Sequence, residues 1–333
     1  MEQPVAQESE QDALGVFALS EAMLPSRALH VVAELGVADL FGGAPRAAAE
    51  LAETAGADPV ALRIVLRLLA GHGLFHEPTT GVFELTGRGE LLRSDHPRSL
   101  RAFVRTQGAV FDAVGALEHS VRTGEVAFEH VRRRSYFEHL RENPDQDALF
   151  NAAMSDLSRF DQDSIVTGYD FSRYSRIVDV AGGDGTLLKA ILAGHPGPVG
   201  VLFDQEHVTA TVAPTDRMTV VAGDFFGDIV AGGDLYLMKN IIHDWADDDA
   251  VAILRACRKV VPDHGRLVLF ERMMAANEGP TQNNRLSLLM YVTFGSRERT
   301  RVEFEELFAA SGFALDRTVA VGPVTHAVEA VPV

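Results

Sequence analysis

The sequence predicts an α/β fold, a mostly parallel sheet preceded by a mainly helical region with a winged unit. Three observations carry that reading. From about residue 13 to 165, apolar residues recur at helical spacing with short turns between the runs. From about residue 174, short apolar runs alternate with helical periodicity, as a sheet built through crossover helices requires. Between them, "VDVAGGDGTLL" (Val178 to Leu188) reads as a strand, a tight glycine turn and a helix start.

The chain has 333 residues, 47% of them apolar, enough for two domains with a sizeable core. Its formal net charge of -17 argues against nucleic acid or an anionic membrane as partner, because both need clustered Lys and Arg. Cys257 is the single cysteine, so no intramolecular disulfide and no multi-cysteine zinc site is possible. The N-terminal "MEQPVAQESEQDA" lacks the basic start and apolar stretch of a signal peptide, and residues 1–12 read as a disordered lead-in. No run of 18 uncharged apolar residues occurs, so a cytoplasmic protein is expected.

In order along the chain, "AAAELAETAGADPVALRIVLRLLAGHGLF" holds a short helix ending near Gly56 and a second helix. Asp58 is placed to cap that second helix, with Pro59 in its first turn and Leu62, Val65, Leu66 and Leu69 as its apolar stripe. "GLFHEPTTGVFELTGRGELL" follows as a two-stranded wing turning at Thr79–Gly81. Helix, helix and wing suit DNA binding or dimerisation. Arg63 and Arg67 are the only cations on the second helix, which favours dimerisation. The helices around Leu14 to Leu40 and Ser99 to Leu117 carry more apolar surface than one small domain buries, so a homodimer is expected. The expected division is a winged-helix-like dimerisation domain at 13–110, a helical linker at 111–172 and a catalytic domain at 173–333.

The later strands are read at "RIVDVAG", "GVLFD", "VVAGDFF", "DLYLMKNII", "GRLVLFERMM", "FALDRTVAVG" and "VTHAVEAVPV". The last two leave no room for a crossover helix and should pair as an antiparallel hairpin. The helix after the fourth has Ala250, Ile253, Leu254, Cys257 and Val261 on its buried face.

The glycine turn lies where open α/β sheets bind ligands, beyond a strand's carboxyl end. The dinucleotide spacing G-x-G-x-x-G fails in every register, and no P-loop lysine is present. Acidic residues end the next two strands, Asp204 in "LFDQ" and Asp224 in "GDFF". A carboxylate at the first place suits a ribose diol. One at the second suits an adenine amino group, with Phe225 beside the ring. Asp179 suits an ammonium or a neighbouring turn. The set describes an adenosine carrying an amino acid.

These motifs, with "LYLMKNIIHDWADDDAVAILRACR", "GRLVLFER" and "SRERTRVEFEELFAASGF", resemble the S-adenosylmethionine-dependent small-molecule O-methyltransferases, the plant caffeate-type and bacterial antibiotic-tailoring enzymes. The resemblance covers nearly the whole chain. It implies the class I methyltransferase fold, a Rossmann-like sheet with a C-terminal antiparallel hairpin. It also implies S-adenosylmethionine as cofactor, S-adenosylhomocysteine as product and no metal. Asp179, Gly182, Gly183 and Gly185 would line the methionine half. Asp204 and Gln205 would hold the ribose, Asp224 and Phe225 the adenine, and Ser158 and Lys239 the cofactor's backbone or carboxylate.

"NIIHDW" places His243 where the reacting atoms should lie. A lone histidine is more often structural; its position beside a methyl donor argues for chemistry, since imidazole suits deprotonation of a phenol near neutral pH. By the resemblance, Glu271 and Glu298 flank it. Phe150, Met154, Asp244, Trp245, Leu289, Met290 and Thr293 would line an apolar substrate chamber. An iron site starting from His243–Asp244 lacks its partner, because the matching position near Gly295 is not histidine. The chain departs from the family at Ala181, usually glycine, at Ser287, often Asp, and at "FGS", which replaces a double glycine. The expected activity is O-methylation of a phenolic hydroxyl on a small aromatic or polyketide-like metabolite. The alternatives are N- or C-methylation of an aromatic acid, a ligand-sensing winged-helix regulator, or a relative that binds the cofactor for other chemistry.

Overall fold

The computed structural model describes residues 3–274 and 282–333. The chain divides into two compact units, Met1–Gly108 and Ala109–Val333. The stretch expected as a linker, 111–172, therefore groups with the second unit.

In the first unit, residues 3–12 are not a disordered lead-in: the helix Gln3–Ser20 begins there. Asp58 Oδ1 accepts from the backbone N–H of Val60 and Ala61 at 3.0 and 2.8 Å, which starts the helix Pro59–Gly71 with proline in its first turn. Leu62, Leu66 and Leu69 are buried, and Val65 is half-buried. The wing is β2 (Phe75–Thr79) against β3 (Val82–Leu85). A third strand that was not expected, β1 (Arg46–Ala47), pairs antiparallel with β3. Two residues carry no readable period. Arg67, a candidate DNA contact by its helix face, forms an ion pair with Glu77 of the wing at 2.8 Å.

The second unit is built on β4 (Arg176–Val180), β5 (Val199–Asp204), β6 (Met218–Ala222), β7 (Leu235–Lys239), β8 (Arg266–Met274), β9 (Arg299–Thr300), β10 (Phe313–Ala320) and β11 (Thr325–Pro332). The sheet order is β10-β11-β8-β7-β4-β5-β6, with β9 pairing β8. Pairings from β8 to β6 are parallel; β11 with β8 is antiparallel, and so is β10 with β11, as the short Val321–Val324 connection between them requires.

Side chains alternate between the two faces of each strand. Val178, Tyr236, Met238, Leu267 and Leu269 pack on one face with Ile253, Leu254 and Cys257 of the helix Asp247–Arg258. Ile177, Leu202, Leu235, Leu237 and Phe270 pack on the other with Leu187, Leu188 and Ile191 of the helix Thr186–Gly194. Chain direction across the sheet reverses at β4, so β4, β5 and β7 end side by side and open a crevice there.

Candidate active site

The carboxyl ends of the central strands build the first half of the site. β4 delivers Asp179 into the turn Ala181–Gly185, closed by a Gly185 N–H to Gly182 carbonyl bond of 3.0 Å. β5 delivers Asp204, whose Oδ2 accepts from Gly183 N–H at 2.8 Å and Oδ1 from Gln205 N–H at 2.6 Å. Its carboxylate therefore braces the turn. Gly182 lies over Asp179: an added Cβ would stand 2.6 Å from the carboxyl. Gly183 has φ +61°, and a Cβ there would meet nothing within 4 Å, so the turn opens onto free space. Gly185 (φ +74°) starts the helix Thr186–Gly194.

Asp179 is buried, and its Oδ2 has no hydrogen-bond partner. Burial pushes its carboxyl up to about 7, the nearby Asp204 adds to that, and Lys239 opposes it. An orphaned buried acceptor under an open turn fits a ligand ammonium. Asp204 is also raised by burial, against the pull of its two backbone N–H partners. Asp224 is exposed and accepts from Phe226 N–H at 2.9 Å, while Phe225 meets Trp245 edge-on at 5.7 Å. Ser158 and Lys239, expected as separate cofactor contacts, hold one another at 3.3 Å.

The second half centres on His243, in the short turn after β7. Its Nδ1 is 2.9 Å from Glu298 Oε1 and 3.7 Å from Glu271 Oε2, and its Nε2 is 3.5 Å from Asp244 Oδ1. Glu271 uses Oε1 to accept Ile241 and Ile242 N–H at 3.1 and 2.8 Å, which ties the histidine loop to β8. Both glutamates are buried. Burial works against a charged imidazole here, but Glu271, Asp244 and Glu298 outweigh it and push His243 up to about 10. Asp244 is pushed up to about 7, first by burial and then by the two glutamates, with His243 opposing. The ligand atoms of His243, Glu271 and Glu298 lie within 4.8 Å of one another, close enough to gather a metal ion. Within this group Glu298 Oε1 hydrogen-bonds His243 Nδ1.

Aromatic side chains border the histidine loop. Trp245 stacks on Phe137 at 5.3 Å, and Phe137 stacks on Phe294 at 5.4 Å. Phe150 meets Tyr136 and Phe137 edge-on. Leu289 packs into the same cluster, and Met290 and Thr293 are buried in the helix Gln282–Phe294. Met154 is half-buried on the helix Pro144–Gly168, and Ser287 is half-buried on Gln282–Phe294.

Several residues escaped sequence reasoning. Arg299, only 1% exposed, donates to the carbonyls of Ile242 and Trp245, each at 2.7 Å, and to Asp247 Oδ1 at 2.9 Å. It thus wraps the loop that carries His243. It lies inside the quoted "SRERT", but no spacing marks an arginine as buried. Ser296, the departure in "FGS", donates its hydroxyl to the His243 carbonyl. Tyr136 and Phe137 stand in "SYFE", whose Ser135–Glu138 capping box marks a helix start and says nothing of the aromatic pair's neighbours.

Residues 115–314 match the O-methyltransferase domain model, and residues 17–95 match the O-methyltransferase dimerisation domain model. A phenazine O-methyltransferase of Lysobacter antibioticus is 40% identical over 316 residues, covering 92% of this chain and 93% of that protein. An 8-amino-8-demethylriboflavin N,N-dimethyltransferase of Streptomyces davaonensis is 34% identical, covering 90% of each chain. The solved structure of an O-methyltransferase from neocarzinostatin biosynthesis, in complex with S-adenosylmethionine and 2-hydroxy-5-methyl naphthoic acid, superposes with a TM-score of 0.80. It is 32% identical, and the match covers 93% of this chain and 96% of that one.

Proposed function

This chain belongs to the S-adenosylmethionine-dependent O-methyltransferase family, and on that premise we propose that it methylates a phenolic hydroxyl of a small aromatic or polyketide-like secondary metabolite, with His243 as the general base. The observation that carries this reading is an imidazole held by buried carboxylates at the edge of an aromatic cluster.

When bound, S-adenosylmethionine supplies a methyl group on a positive sulfonium, which the acceptor oxygen takes by in-line displacement. Asp179 would hold its ammonium, Asp204 and Gln205 its ribose, Asp224 and Phe225 its adenine, and Lys239 with Ser158 its carboxylate. Gly182, Gly183 and Gly185 let the backbone approach. The fit rests on the open face of Gly183 and the orphaned Asp179 oxygen.

His243 receives the phenol proton at Nε2 while Glu298 holds Nδ1 and fixes the tautomer. Glu271, Glu298 and Asp244 favour the imidazolium that results. An ordinary phenol has a pKa of about 10, so the neutral imidazole, once it has shed its own proton, takes the phenol's with little free-energy cost. The aromatic side chains, with Phe150, Met154, Leu289, Met290 and Thr293, would clasp the acceptor ring. The chemistry needs no metal in this reading, because the imidazole is the base and the sulfonium already activates the methyl group.

The N-terminal domain makes a homodimer in this reading. Its support is the matched dimerisation model and the exposed Leu14, Val16, Phe17, Leu19, Met23 and Leu24. Among the described residues no helix is long and apolar enough to cross a membrane; in this reading the enzyme is cytoplasmic.

A panel of phenols and arylamines incubated with labelled S-adenosylmethionine tests the reading, with NMR locating the methyl group. Methyl on oxygen is expected. Methyl only on nitrogen would favour the second reading, N-methylation, which the N,N-dimethyltransferase relative keeps open.

A further inference from the structure

The helix Pro144–Gly168 turns Ser155, Ser158 and Asp161, each three residues after the last, to one side. All three reach residues at the ligand-binding ends of the strands. Ser155 Oγ donates to Asp184 Oδ2 in the glycine turn at 2.6 Å. Lys239 Nζ, at the end of β7, donates to Ser158 Oγ at 3.3 Å and stands 3.1 Å from Asp161 Oδ1. Asp161 is held in turn, because its Oδ2 accepts from Thr325 Oγ1 at the start of β11 at 3.0 Å. The Lys239 side chain is 7% exposed, and that of Asp161 22%.

An ammonium has three N–H donors. Ser158 takes one of them, and Asp161 Oδ1 stands opposite the ammonium as its counter-charge, an ion pair with no hydrogen bond. A lysine stem is flexible, so where its other N–H groups point depends on its anchors. We propose that Asp161 is a donor-positioning residue, holding Lys239 between helix and sheet so that a free N–H meets the carboxylate of S-adenosylmethionine. This rests on the reading of Lys239 as the carboxylate contact. Nothing in the sequence pattern pointed to Asp161, which lies about three turns from Phe150 of "FNAAM".

The test is a double-mutant cycle read by calorimetric binding of S-adenosylmethionine and by steady-state kinetics. Asp161→Ala should weaken cofactor binding and raise its KM about tenfold, the worth of one charge-assisted hydrogen bond, with kcat and acceptor KM within about twofold of the parent. Asp161→Asn, which keeps the shape and the link to Thr325 but not the charge, should recover part of that loss. Thr325→Val, which frees Asp161 without removing it, should fall between. In a Lys239→Met background Asp161→Ala should add nothing.

Parent-like or tighter binding by Asp161→Ala, where Lys239→Met binds weakly, overturns the proposal: Asp161 would then compete for the ammonium. An undiminished effect of Asp161→Ala in the Lys239→Met background also overturns it, because Asp161 would be acting through the fold. If Lys239→Met itself binds the cofactor like the parent, the assignment of Lys239 fails, and the proposal falls with it.

Discussion

Glu298 Oε1 lies 2.9 Å from His243 Nδ1, and the carboxylate that makes this bond is fully buried. A charge held there acts through a poorly screening medium, so it sets both the orientation and the proton affinity of the imidazole. Each consequence is measurable.

His243→Gln should lower kcat by roughly 10²–10⁴-fold, the usual worth of a placed general base, with cofactor affinity nearly unchanged. The residual rate should rise with pH, because hydroxide then supplies the phenolate. Acceptors with acidic phenols should lose least. A variant keeping a third of the parent rate on every acceptor would make His243 structural.

Catalysis uses the neutral imidazole, while in the free protein His243 is pushed up to about 10. The parent kcat/KM should therefore climb with pH through the neutral range. Glu298→Gln should move that limb to lower pH and cut kcat by about 10–10³-fold, in the manner of a triad carboxylate. The linked effect on stability has its own sign. The raised pKa stabilises the fold fully below the ordinary histidine value near 6.5, and that contribution is lost as pH rises through about 10. Thermal unfolding across that window, compared with His243→Gln, measures it.

Asp179 runs the other way for an acid. Its folded pKa, about 7, stands above the ordinary 3.8, so its contribution to stability is present at low pH and lost as pH rises between those values. Asp179→Asn never ionises. Its stability relative to the parent should grow between about pH 4 and pH 8, by at most roughly 4 kcal/mol at about 1.36 kcal/mol per unit. Cofactor binding should weaken in the same variant. Calorimetric melting at the two pH values and a binding titration check both halves.

Arg299→Met should strip the Ile242 and Trp245 carbonyls of their guanidinium donor and leave Asp247 paired with Arg297 alone. Taking a donor from buried carbonyls costs about 1–3 kcal/mol. Tm should fall, and kcat should fall further than cofactor affinity, because the loosened loop is the one that carries His243. Denaturant titration beside kinetics separates the two losses.

Ala181 adopts φ +58°, a left-handed conformation that costs a residue with a Cβ about 1–2 kcal/mol. Ala181→Gly should relieve it, partly offset by the roughly 0.5–1 kcal/mol that glycine loses in chain entropy. A net gain of up to about 1 kcal/mol in urea unfolding is expected, with cofactor binding equal or tighter. A loss of stability would show that the alanine methyl contributes packing that outweighs the strain.

Much of the fold was legible because the signals are local. Asp58 before Pro59, the period of Leu62, Leu66 and Leu69, and the apolar runs that became β4 to β8 all depend on neighbours in the chain. Where reading failed, the signal was weak or distant. Residues 3–12 are polar and acidic, yet they belong to a helix whose apolar side chains, Leu14, Val16, Phe17 and Leu19, come later and stay exposed. Strand β1 is two residues long and exists because β3 is there to pair with.

The same division runs through the candidate site. The sequence by itself determined which residues stand at the strand ends, since strands that stop at Val180, Asp204 and Lys239 must leave Asp179, Asp204 and Lys239 at the carboxyl end of the sheet. Only the tertiary structure decided their partners. His243 meets Glu298 across 55 residues of chain, Lys239 meets Asp161 across 78, and Arg299 closes on Ile242 across 57. No periodicity encodes such pairs. They form because packing two helices and a hairpin on one sheet removes water from these charges, and a buried charge must find its partner inside the protein.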